Sequence, residues 1–372
     1  MNSLFYPADI LVPAENIDMQ KWSVIACDQH SSEKEYWDEL DRYVGNDPST
    51  LRMMLPEAYL DRDPESETEK INNTMRQYLD TGVFRTLENS YVYVERTLSS
   101  GSVRKGLIGA LCLDQYDYSR TSSSPVRATE GTVEERLPAR IKIRENAALE
   151  MPHVMVFVND PENILFSGCS DSACKSDDVR KVYDFELNFG GGHLKGWQIP
   201  ADSEIGKNID HALCELEKAP MAMAIGDGNH SLAAAKKSGS KYALVELVNI
   251  HDEAVSFEPI HRVLFHTDPK SFSDELEKLN LDAIADYAKK ISAAEEFCQS
   301  YIRKFGGEVD YIHNDETAIE MGEKPGCAAL LLPKMEKHQL FESVEANGPF
   351  PKKSFSIGHA EDKRYYLECR CL

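Results

Sequence analysis

The sequence predicts an α+β protein in which mixed, largely antiparallel sheets are flanked by helices, with a strand, glycine loop and helix forming an anion site. Three observations favour this class. Short apolar strand patterns recur through the 372 residues, glycine- and serine-rich turns of the kind that close hairpins separate several of them, and helical patterns lie between the strands. The composition, 42% hydrophobic and 9% aromatic, is typical of a folded globular protein.

Two short strands are predicted near the N-terminus, at 9–13 and 22–27, and the second leads directly into Asp28. Ser32 and Glu35 then have the spacing of a capping box, which predicts the start of a helix. Asp28 therefore lies where a strand ends and a helix begins, a common position for a functional carboxylate in α/β folds. A solvated aspartate in a turn fits this position equally well.

Residues 48–87 have a helical and acidic pattern, and strands at 91–97 and 107–113 follow, joined by a Ser-Ser-Gly-Ser turn. A helix is then predicted over 133–150. It carries arginines at a spacing of four residues on one face, where they could clamp phosphates or carboxylates, but an exposed face neutralised by nearby glutamates explains the pattern as well. These arginines are Arg136, Arg140 and Arg144.

The segment from Met221 to Lys237 is the most informative part of the sequence. It reads as a buried strand at 221–225, a loop at 226–231 and a helix at 232–237. Gly226 and Gly228 allow the backbone to come close to a ligand. The free N–H groups and the positive dipole end of the helix attract an anion there.

The polar side chains of this loop are suited to chemistry. They can bind a metal, donate hydrogen bonds to phosphate or move a proton, and they belong to Asp227, Asn229, His230 and Ser231. The alternative is a tight structural turn in which Ser231 or Asn229 caps the helix. A second glycine-rich turn, at 188–193, lacks the Walker lysine spacing and no helix follows it, so it is predicted to close a hairpin.

Further strands are predicted at 243–250 and from Pro259 onward, which places His261 and Arg262 within reach of the central loop. Helices at 271–279 and 293–305 follow, with strands at 310–313, 327–332 and 364–370. No internal repeat or low-complexity linker divides the chain. We predict a main domain over 1–265 that carries the site and a smaller part over 266–372 packed against it, with a single domain as the alternative.

A net charge of −22 argues against a nucleic-acid or anionic-membrane partner, because binding to a phosphate backbone needs a basic surface. No apolar run approaches the roughly 20 residues of a membrane span, and the N-terminus lacks a secretory signal pattern. The nine scattered cysteines predict reduced thiols in a cytoplasmic protein. The sequence leaves open whether the protein is a homo-oligomer.

Five segments together resemble the bacterial and archaeal family known as domain of unknown function 1015. They keep their order and span nearly the whole chain: 22–29, 144–147 with 152–153, 226–230, 259–262 and 352–355. The usual central motif of that family is closer to Asp-Gly-His-His-Arg. Here Asn229 and Ser231 replace the first histidine and the arginine, which removes a cationic phosphate ligand.

The central motif alone is similar to the phosphate-binding turn of the sulfiredoxin and ParB-like fold, in which a strand, Gly-x-His and an alanine-rich helix follow one another. The fold includes sulfiredoxins, nucleotide-binding partition proteins and free-serine kinases. The activity that this resemblance implies is nucleotide-linked phosphoryl transfer. Fold-level analogy does not by itself establish function.

These observations predict a phosphotransferase for a small hydroxylated or phosphorylated metabolite, with serine or phosphoserine as the sharpest guess, Mg²⁺ as cofactor and ATP or ADP as co-substrate. Catalytic roles are assigned to Asp28, Asp227 and His230, and Asp28 and Asp227 are the expected Mg²⁺ ligands. The expected ligand-binding residues are Gly226, Gly228, Asn229, Ser231, Arg144, His261, Arg262, Lys353 and Ser354.

Two other classes of function compete with this one. The first is a non-catalytic regulatory protein in which the same loop senses a nucleotide or a phosphorylated metabolite. The second is a metal-dependent hydrolase, which ranks last because no His-x-x-x-His or comparable ligand spacing occurs.

Overall fold

The structure is a computed structural model that describes residues 3–132, 134, 137–151, 153–169, 179–358 and 362–372. Helices flank a large mixed sheet and several small ones, which confirms the predicted α+β class. The strands are β1 (Phe5–Tyr6), β2 (Ala8–Pro13), β3 (Val24–Ile25), β4 (Phe84–Thr97), β5 (Val103–Cys112), β6 (Tyr116–Asp117), β7 (Val126–Ala128), β8 (Leu149–Glu150), β9 (Met155–Val158), β10 (Arg180–Glu186), β11 (His193–Pro200), β12 (Met223–Asp227), β13 (Tyr242–Asn249), β14 (Phe257–Pro259), β15 (His261–Phe265), β16 (Glu308–Ile312), β17 (Cys327–Leu330), β18 (Phe355–Ile357), β19 (Tyr365–Tyr366) and β20 (Arg370–Cys371).

The helices begin and end where side-chain caps and glycines allow. Asp63, for example, caps the first turn of the long acidic helix after it, and Gly45 ends the helix that packs Trp37 into the core. The helices are α1 (Met19–Trp22), α2 (Lys34–Val44), α3 (Pro64–Asp80), α4 (Leu137–Glu145), α5 (Glu204–Leu216), α6 (Asn229–Lys237), α7 (Pro269–Leu279), α8 (Tyr287–Phe305), α9 (Asp315–Gly322) and α10 (Gln339–Asn347).

The largest sheet has eleven strands within the described residues. Nine of them follow the order β10-β11-β4-β5-β13-β9-β12-β7-β6, while β1 pairs with β5 and β2 with β4. Most pairs are antiparallel, and the parallel ones are β12 with β7, β13 with β9 and β6 with β7. The predicted hairpin turn is confirmed, because β4 and β5 pair in register from Val92 opposite Ile108 to Thr97 opposite Val103.

Strand β12 lies inside this sheet, between antiparallel β9 and parallel β7. Its residues Met223 to Ile225 are fully buried, as expected for a strand covered on both faces. Gly228 alone separates its last residue, Asp227, from the first residue of α6. The central strand, loop and helix predicted from the sequence are therefore present, with a helix that begins three residues earlier, at Asn229.

The C-terminal part of the chain pairs with strands of the earlier part and packs against it. Strand β19 pairs with β3, β20 pairs with β8, and β18 pairs with β14. One hydrophobic cluster combines Phe157 and Val248 of the large sheet with Ile291 and Leu340 of the later helices. These contacts bring the segment before β18 and the residues before β19 next to β12. The division at residue 265 stays a prediction.

Several predicted elements differ from those observed. The predicted capping box of Ser32 and Glu35 is wrong, because α2 begins at Lys34 after Glu33, which makes no side-chain cap. The strand expected over 364–370 is observed as two short strands, β19 and β20.

The strand expected over 22–27 is wrong in its first part, because the Asp18 side chain accepts hydrogen bonds from the N–H groups of Gln20 and Lys21 and starts the short helix α1. Only Val24–Ile25 pairs as a strand. The helix expected over 133–150 is observed as Leu137–Glu145.

In the described part of the chain, no helix has the length and the apolar character that crossing a membrane requires.

Candidate functional site

A polar cavity of about 460 Å³ lies at the carboxyl end of β12. The first turn of α6 forms one wall, the segment 350–357 forms another, and the loop that follows β3 contributes a third. Its wall is formed by Asp28, Ser31, Glu57, Thr129, Glu130, Arg140, His153, residues 226–231, Ile260, His313, residues 350–357 and Lys363.

Glycines are required in the turn that opens α6. Gly228 has a φ of 78°, in the left-handed region, and an added Cβ would lie 2.9 Å from Cγ2 of Val154. At Gly226 an added Cβ would lie 2.6 Å from the ring of Phe157. Side chains at these two positions would push the turn out of its place, so the glycines keep the backbone against the strand and the cavity open.

The first turn of α6 faces the cavity without a capping side chain from its own N-cap residue. The N-cap is Gly228, so neither Asn229 nor Ser231 caps the helix as the structural alternative expected. Asn229 is buried, and its Oδ1 has no hydrogen-bond partner among the described residues. A buried amide without a partner is costly in a folded protein, which points to a bound group or a water at this position.

Asp227 is held in place at the end of β12. Its Oδ1 accepts a hydrogen bond of 2.8 Å from the N–H of Gly228, and its Oδ2 lies 3.1 Å from Nζ of Lys363. The ion pair is half-buried. Lys363, which lies just before β19, therefore brings a positive charge from the C-terminal part of the chain to the central loop.

Asp28 forms a second acidic group in the cavity, beside a buried histidine. Its Oδ2 lies 3.7 Å from Nε2 of His153, whose Nδ1 is 2.8 Å from the hydroxyl of Tyr366. Burial acts to raise the pKa of Asp28, but the charge of His153, a hydrogen bond from Gln29 and the charge of Lys363 outweigh it and lower the pKa. Asp28 is therefore a carboxylate at neutral pH.

Lys353 reaches the cavity from a constrained backbone. Its φ of 60° is left-handed, which is uncommon for a residue with a side chain. Its N–H donates to Oε1 of Glu130, 3.2 Å away, and its carbonyl accepts a 2.9 Å hydrogen bond from Arg262. Burial raises the pKa of Glu130, although the N–H and the charge of Lys353 act in the opposite direction. The backbone is fixed on both sides of the lysine.

Arg262 and His261 lie behind the cavity wall and do not line it. Arg262 is fully buried and also pairs with Glu295 at 3.3 Å. His261 lies 2.8 Å from Asp315 through Nε2, and its Nδ1 accepts from the N–H of Leu332. Arg262 thus supports the segment that presents Lys353.

The arginines predicted to share one face of α4 lie in different environments. Arg140 forms an ion pair with Glu57, and both residues line the cavity. Arg144 pairs with Glu150 and donates to Ser240, and it faces a neighbouring apolar cavity. Arg136 lies outside the described residues.

Most of the predicted site residues meet at this one cavity. Those that line it are Asp28, Gly226, Asp227, Gly228, Asn229, His230, Ser231, Lys353 and Ser354. Glu57, Glu130, His313 and Lys363 also line the cavity but were not predicted, because each comes from a distant part of the chain and no local motif marks it. His153 did have a signal, since it belongs to one of the segments that carry the family resemblance.

The donor set of the cavity fits a phosphate with a metal ion only in part. Among the described residues, no three His, Cys, Asp or Glu side chains are grouped as a metal cage. Mg²⁺ commonly binds through one or two carboxylates together with phosphate oxygens and waters, and Asp28 and Asp227 both line the cavity. This donor set is compatible with Mg²⁺ carried in on a phosphate, and the Mg²⁺ site stays a prediction.

The fold and the cavity define an α+β protein with a polar pocket built around a strand, a glycine turn and a helix N-terminus. The chain belongs to the DUF1015 family, described as a protein of unknown function, whose sequence model matches residues 11–370. No curated protein matches the chain.

Several solved structures are similar to parts of this fold. A free serine kinase in complex with AMP has 12% identity and a TM-score of 0.39, with 69% of this chain and 90% of that chain covered. A conserved hypothetical protein from Pyrococcus furiosus has 13% identity and a TM-score of 0.33, with 69% and 90% covered. SbnI with a C-terminal truncation, from Staphylococcus aureus, has 11% identity and a TM-score of 0.35, with 68% and 82% covered.

Proposed function

We propose that this protein moves a phosphoryl group between a nucleotide, ATP or ADP, and the hydroxyl group of a small metabolite bound in the polar cavity. Serine as acceptor and phosphoserine as product are the sharpest guess for this metabolite. The observation that carries the proposal is the gathering of cations and a helix N-terminus at one cavity of a chain with a net charge of −22.

The charges around the cavity favour a phosphorylated ligand. Lys352, Lys353 and Lys363 line it together with Arg140, and α6 directs the positive end of its dipole at it. Oxygen atoms of a phosphate can accept hydrogen bonds from the N–H groups of this first turn. The unpartnered Oδ1 of Asn229 is an acceptor, so in this proposal it takes a hydrogen bond from a donor such as the hydroxyl of the metabolite. Two of these cations pair with carboxylates of the same wall, Arg140 with Glu57 and Lys363 with Asp227. Lys352 and Lys353 are therefore the side chains to which the proposal first assigns the phosphate charge.

Different residues of the cavity act on different atoms in an in-line transfer of the phosphoryl group. The oxygen of the acceptor hydroxyl forms a bond to phosphorus while the bond from phosphorus to the leaving nucleotide oxygen breaks. The hydroxyl proton passes to the carboxylate of Asp28, which its lowered pKa keeps ionised. His230 donates a hydrogen bond to the phosphoryl oxygens, and the lysines stabilise the charge that these oxygens carry.

Arg144 and Arg262 were predicted to bind the ligand, but in this proposal Arg140 and the three lysines stabilise the phosphate charge. Arg144 faces the apolar cavity and Arg262 is buried behind the wall. Asp28 and Asp227 are the carboxylates that would hold Mg²⁺, which would supply further neutralisation of phosphate charge. Lys363 holds Asp227 in the position from which it can do so.

A second candidate, a non-catalytic sensor of phosphorylated metabolites, is favoured by one observation. Both carboxylates already have partners, since Lys363 and the N–H of Gly228 contact Asp227 while His153 and Gln29 contact Asp28. Carboxylates engaged in this way could serve to shape a binding site. Both candidate functions predict that the cavity binds the ligand, but only the phosphotransferase predicts turnover.

The test is a melting-temperature screen against ATP, ADP, pyrophosphate, serine and phosphoserine, each with and without Mg²⁺, followed by a ³¹P NMR assay of turnover. A ligand that binds the native state alone raises its melting temperature, by an amount that grows with concentration. We expect stabilisation by nucleotide or phosphoserine that is lost in His230→Ala and kept in the control His193→Ala, at the other glycine turn.

Turnover should disappear in both His230→Ala and Asp227→Asn. Stabilisation without turnover in the wild type would favour the sensor. A wild type that none of these phosphates stabilises would contradict both candidates.

A further inference from the structure

A second cavity, of about 480 Å³, adjoins the polar one. Four residues line both cavities: Glu57, Arg140, His153 and Ser231. The ion pair between Arg140 and Glu57 therefore lies at their junction. A single elongated molecule that passes this junction would contact both cavities.

The second cavity differs from the first in its lining. Its walls are mostly apolar, with an unusual number of methionines: Met53, Met54, Met75 and Met151, together with Leu149 and Val154. These six side chains are buried and belong to the hydrophobic core of the protein. Methionine side chains are flexible and polarisable, so they adapt to irregular apolar ligands.

Several polar groups of this cavity already have partners. Glu150 accepts from the N–H of Leu244 and pairs with both Arg144 and Arg370. The Tyr366 hydroxyl lies between Nδ1 of His153 and the sulfur of Cys27, at 2.8 and 3.1 Å. A ligand in this cavity gains little from polar groups of its own, because breaking these pairs would leave buried charges without partners.

We propose that the apolar cavity binds an aliphatic chain of the molecule whose phosphate or hydroxyl group occupies the polar cavity. This inference rests on the proposed function and narrows its substrate class to amphiphilic compounds, with a polar head that accepts or donates the phosphoryl group and a hydrocarbon tail. Serine fills only the polar cavity. A nucleobase fits the second cavity less well than a chain, because a base needs hydrogen-bond partners that this lining does not offer.

The inference is tested by isothermal titration of the intact protein with inorganic phosphate and with ethyl, butyl, hexyl and octyl phosphate, each below its micelle-forming concentration. Burial of each methylene group is expected to tighten binding about fourfold until the cavity is filled. An affinity that does not rise with chain length overturns the inference.

Variants that fill the cavity provide the specific control. Ala147 and Ala235 lie at its wall, and Ala147→Leu or Ala235→Leu should remove the dependence on chain length while leaving the affinity for inorganic phosphate within about twofold. Ala283, which is exposed and lines neither cavity, provides the matched substitution: Ala283→Leu should bind like the wild type. The melting temperature of each variant shows that it is folded.

The outcomes separate this inference from the proposed function. Inorganic phosphate that binds while the chain adds nothing overturns the inference alone. A chain-length dependence without any binding of inorganic phosphate supports the apolar site and contradicts the phosphate site. A third outcome is that ADP binds more tightly than pyrophosphate and that this difference in affinity is lost in Ala147→Leu. It would assign the apolar cavity to a nucleobase and overturn the proposal of an aliphatic chain.

Discussion

The turns at 226–231 and 188–193 are both rich in glycine, and each contains a glycine with almost the same positive φ angle. Gly228 has a φ of 78° and Gly190 a φ of 77°. An added Cβ would meet Val154 at the first turn and open space at the second. After Gly228 the chain enters a helix, whereas the second turn connects the antiparallel strands β10 and β11.

Each turn also has an aspartate and histidine pair beside it. At the cavity, Asp28 lies 3.7 Å from the buried His153, and at the hairpin, Asp184 lies 2.8 Å from His193 on the protein surface. The hairpin pair is closer, yet it does not line the polar cavity. Glycine content and an acid–histidine pair are therefore insufficient to form a polar cavity, and the helix N-terminus and the enclosing walls distinguish the two turns.

The largest expected effect concerns the two aspartates. Asp28→Asn removes the proposed general base and should lower kcat by about 10²- to 10⁴-fold. Asp184→Asn should leave kcat within about twofold of the wild type. The comparison is made in a steady-state assay with the nucleotide and acceptor that the screen identifies, and equal rates for the two variants would exclude Asp28 as the base.

The two glycines should differ in stability. Alanine at either position adopts a left-handed conformation, which costs about 1–2 kcal/mol. Gly228→Ala also creates the contact with Val154, so we expect it to lose roughly 1–3 kcal/mol more than Gly190→Ala. Urea denaturation of both variants measures the difference, and equal losses would mean that Val154 moves aside at little cost.

Lys363 and Lys181 each pair with an aspartate, one at the cavity and one at the hairpin. If Lys363 contacts a bound phosphate, Lys363→Met should weaken pyrophosphate binding by roughly 10- to 100-fold, the value of a charge-assisted hydrogen bond. Lys181→Met should not change it. An unchanged affinity for Lys363→Met would restrict this lysine to holding Asp227.

The smallest effects are opposite pH dependences of stability. Burial raises the pKa of Glu130 in the folded protein. The free energy of unfolding therefore falls as the pH rises from the unfolded-state pKa to the folded-state pKa, because the unfolded chain releases this proton more readily. The Lys181 hydrogen bond lowers the pKa of Asp184, whose carboxylate contributes stability above its unfolded-state pKa and loses it as the pH falls through the folded-state pKa.

Glu130→Gln should therefore gain melting temperature relative to the wild type as the pH rises above about 4, the ordinary range of a carboxyl group. Asp184→Asn should be less stable than the wild type at neutral pH, by no more than about 1 kcal/mol, and equal to it in acid. Melting curves between pH 3 and 8 give both differences. If the difference in melting temperature from the wild type changed with pH in the same direction for both variants, the environments of Glu130 and Asp184 would not differ as described.

Local patterns in the sequence predicted the parts of this structure that local physics determines. Alternating apolar residues marked the hairpin of β4 and β5, and small apolar residues before a glycine turn marked β12. That one segment contributes residues 226–231 to the cavity lining.

The remaining site residues could not be predicted because tertiary contacts place them. Lys363 is 136 residues from Asp227, and Glu130 meets Lys353 across 223 residues. Arg262 was expected near the loop, but its burial against Glu295 depends on α8, which no motif connects to it. The apolar cavity likewise combines methionines from several distant segments, and in sequence each looks like an ordinary core residue.

The most direct test of the central claim, a phosphate site at the first turn of α6, is calorimetric titration of pyrophosphate into the wild type, Gly228→Ala and Gly190→Ala. The account predicts saturable binding to the wild type and to Gly190→Ala, and at least tenfold weaker binding to folded Gly228→Ala, whose added methyl group displaces the turn from the cavity. Absence of binding to the wild type, or equal affinity in all three proteins, would contradict the claim.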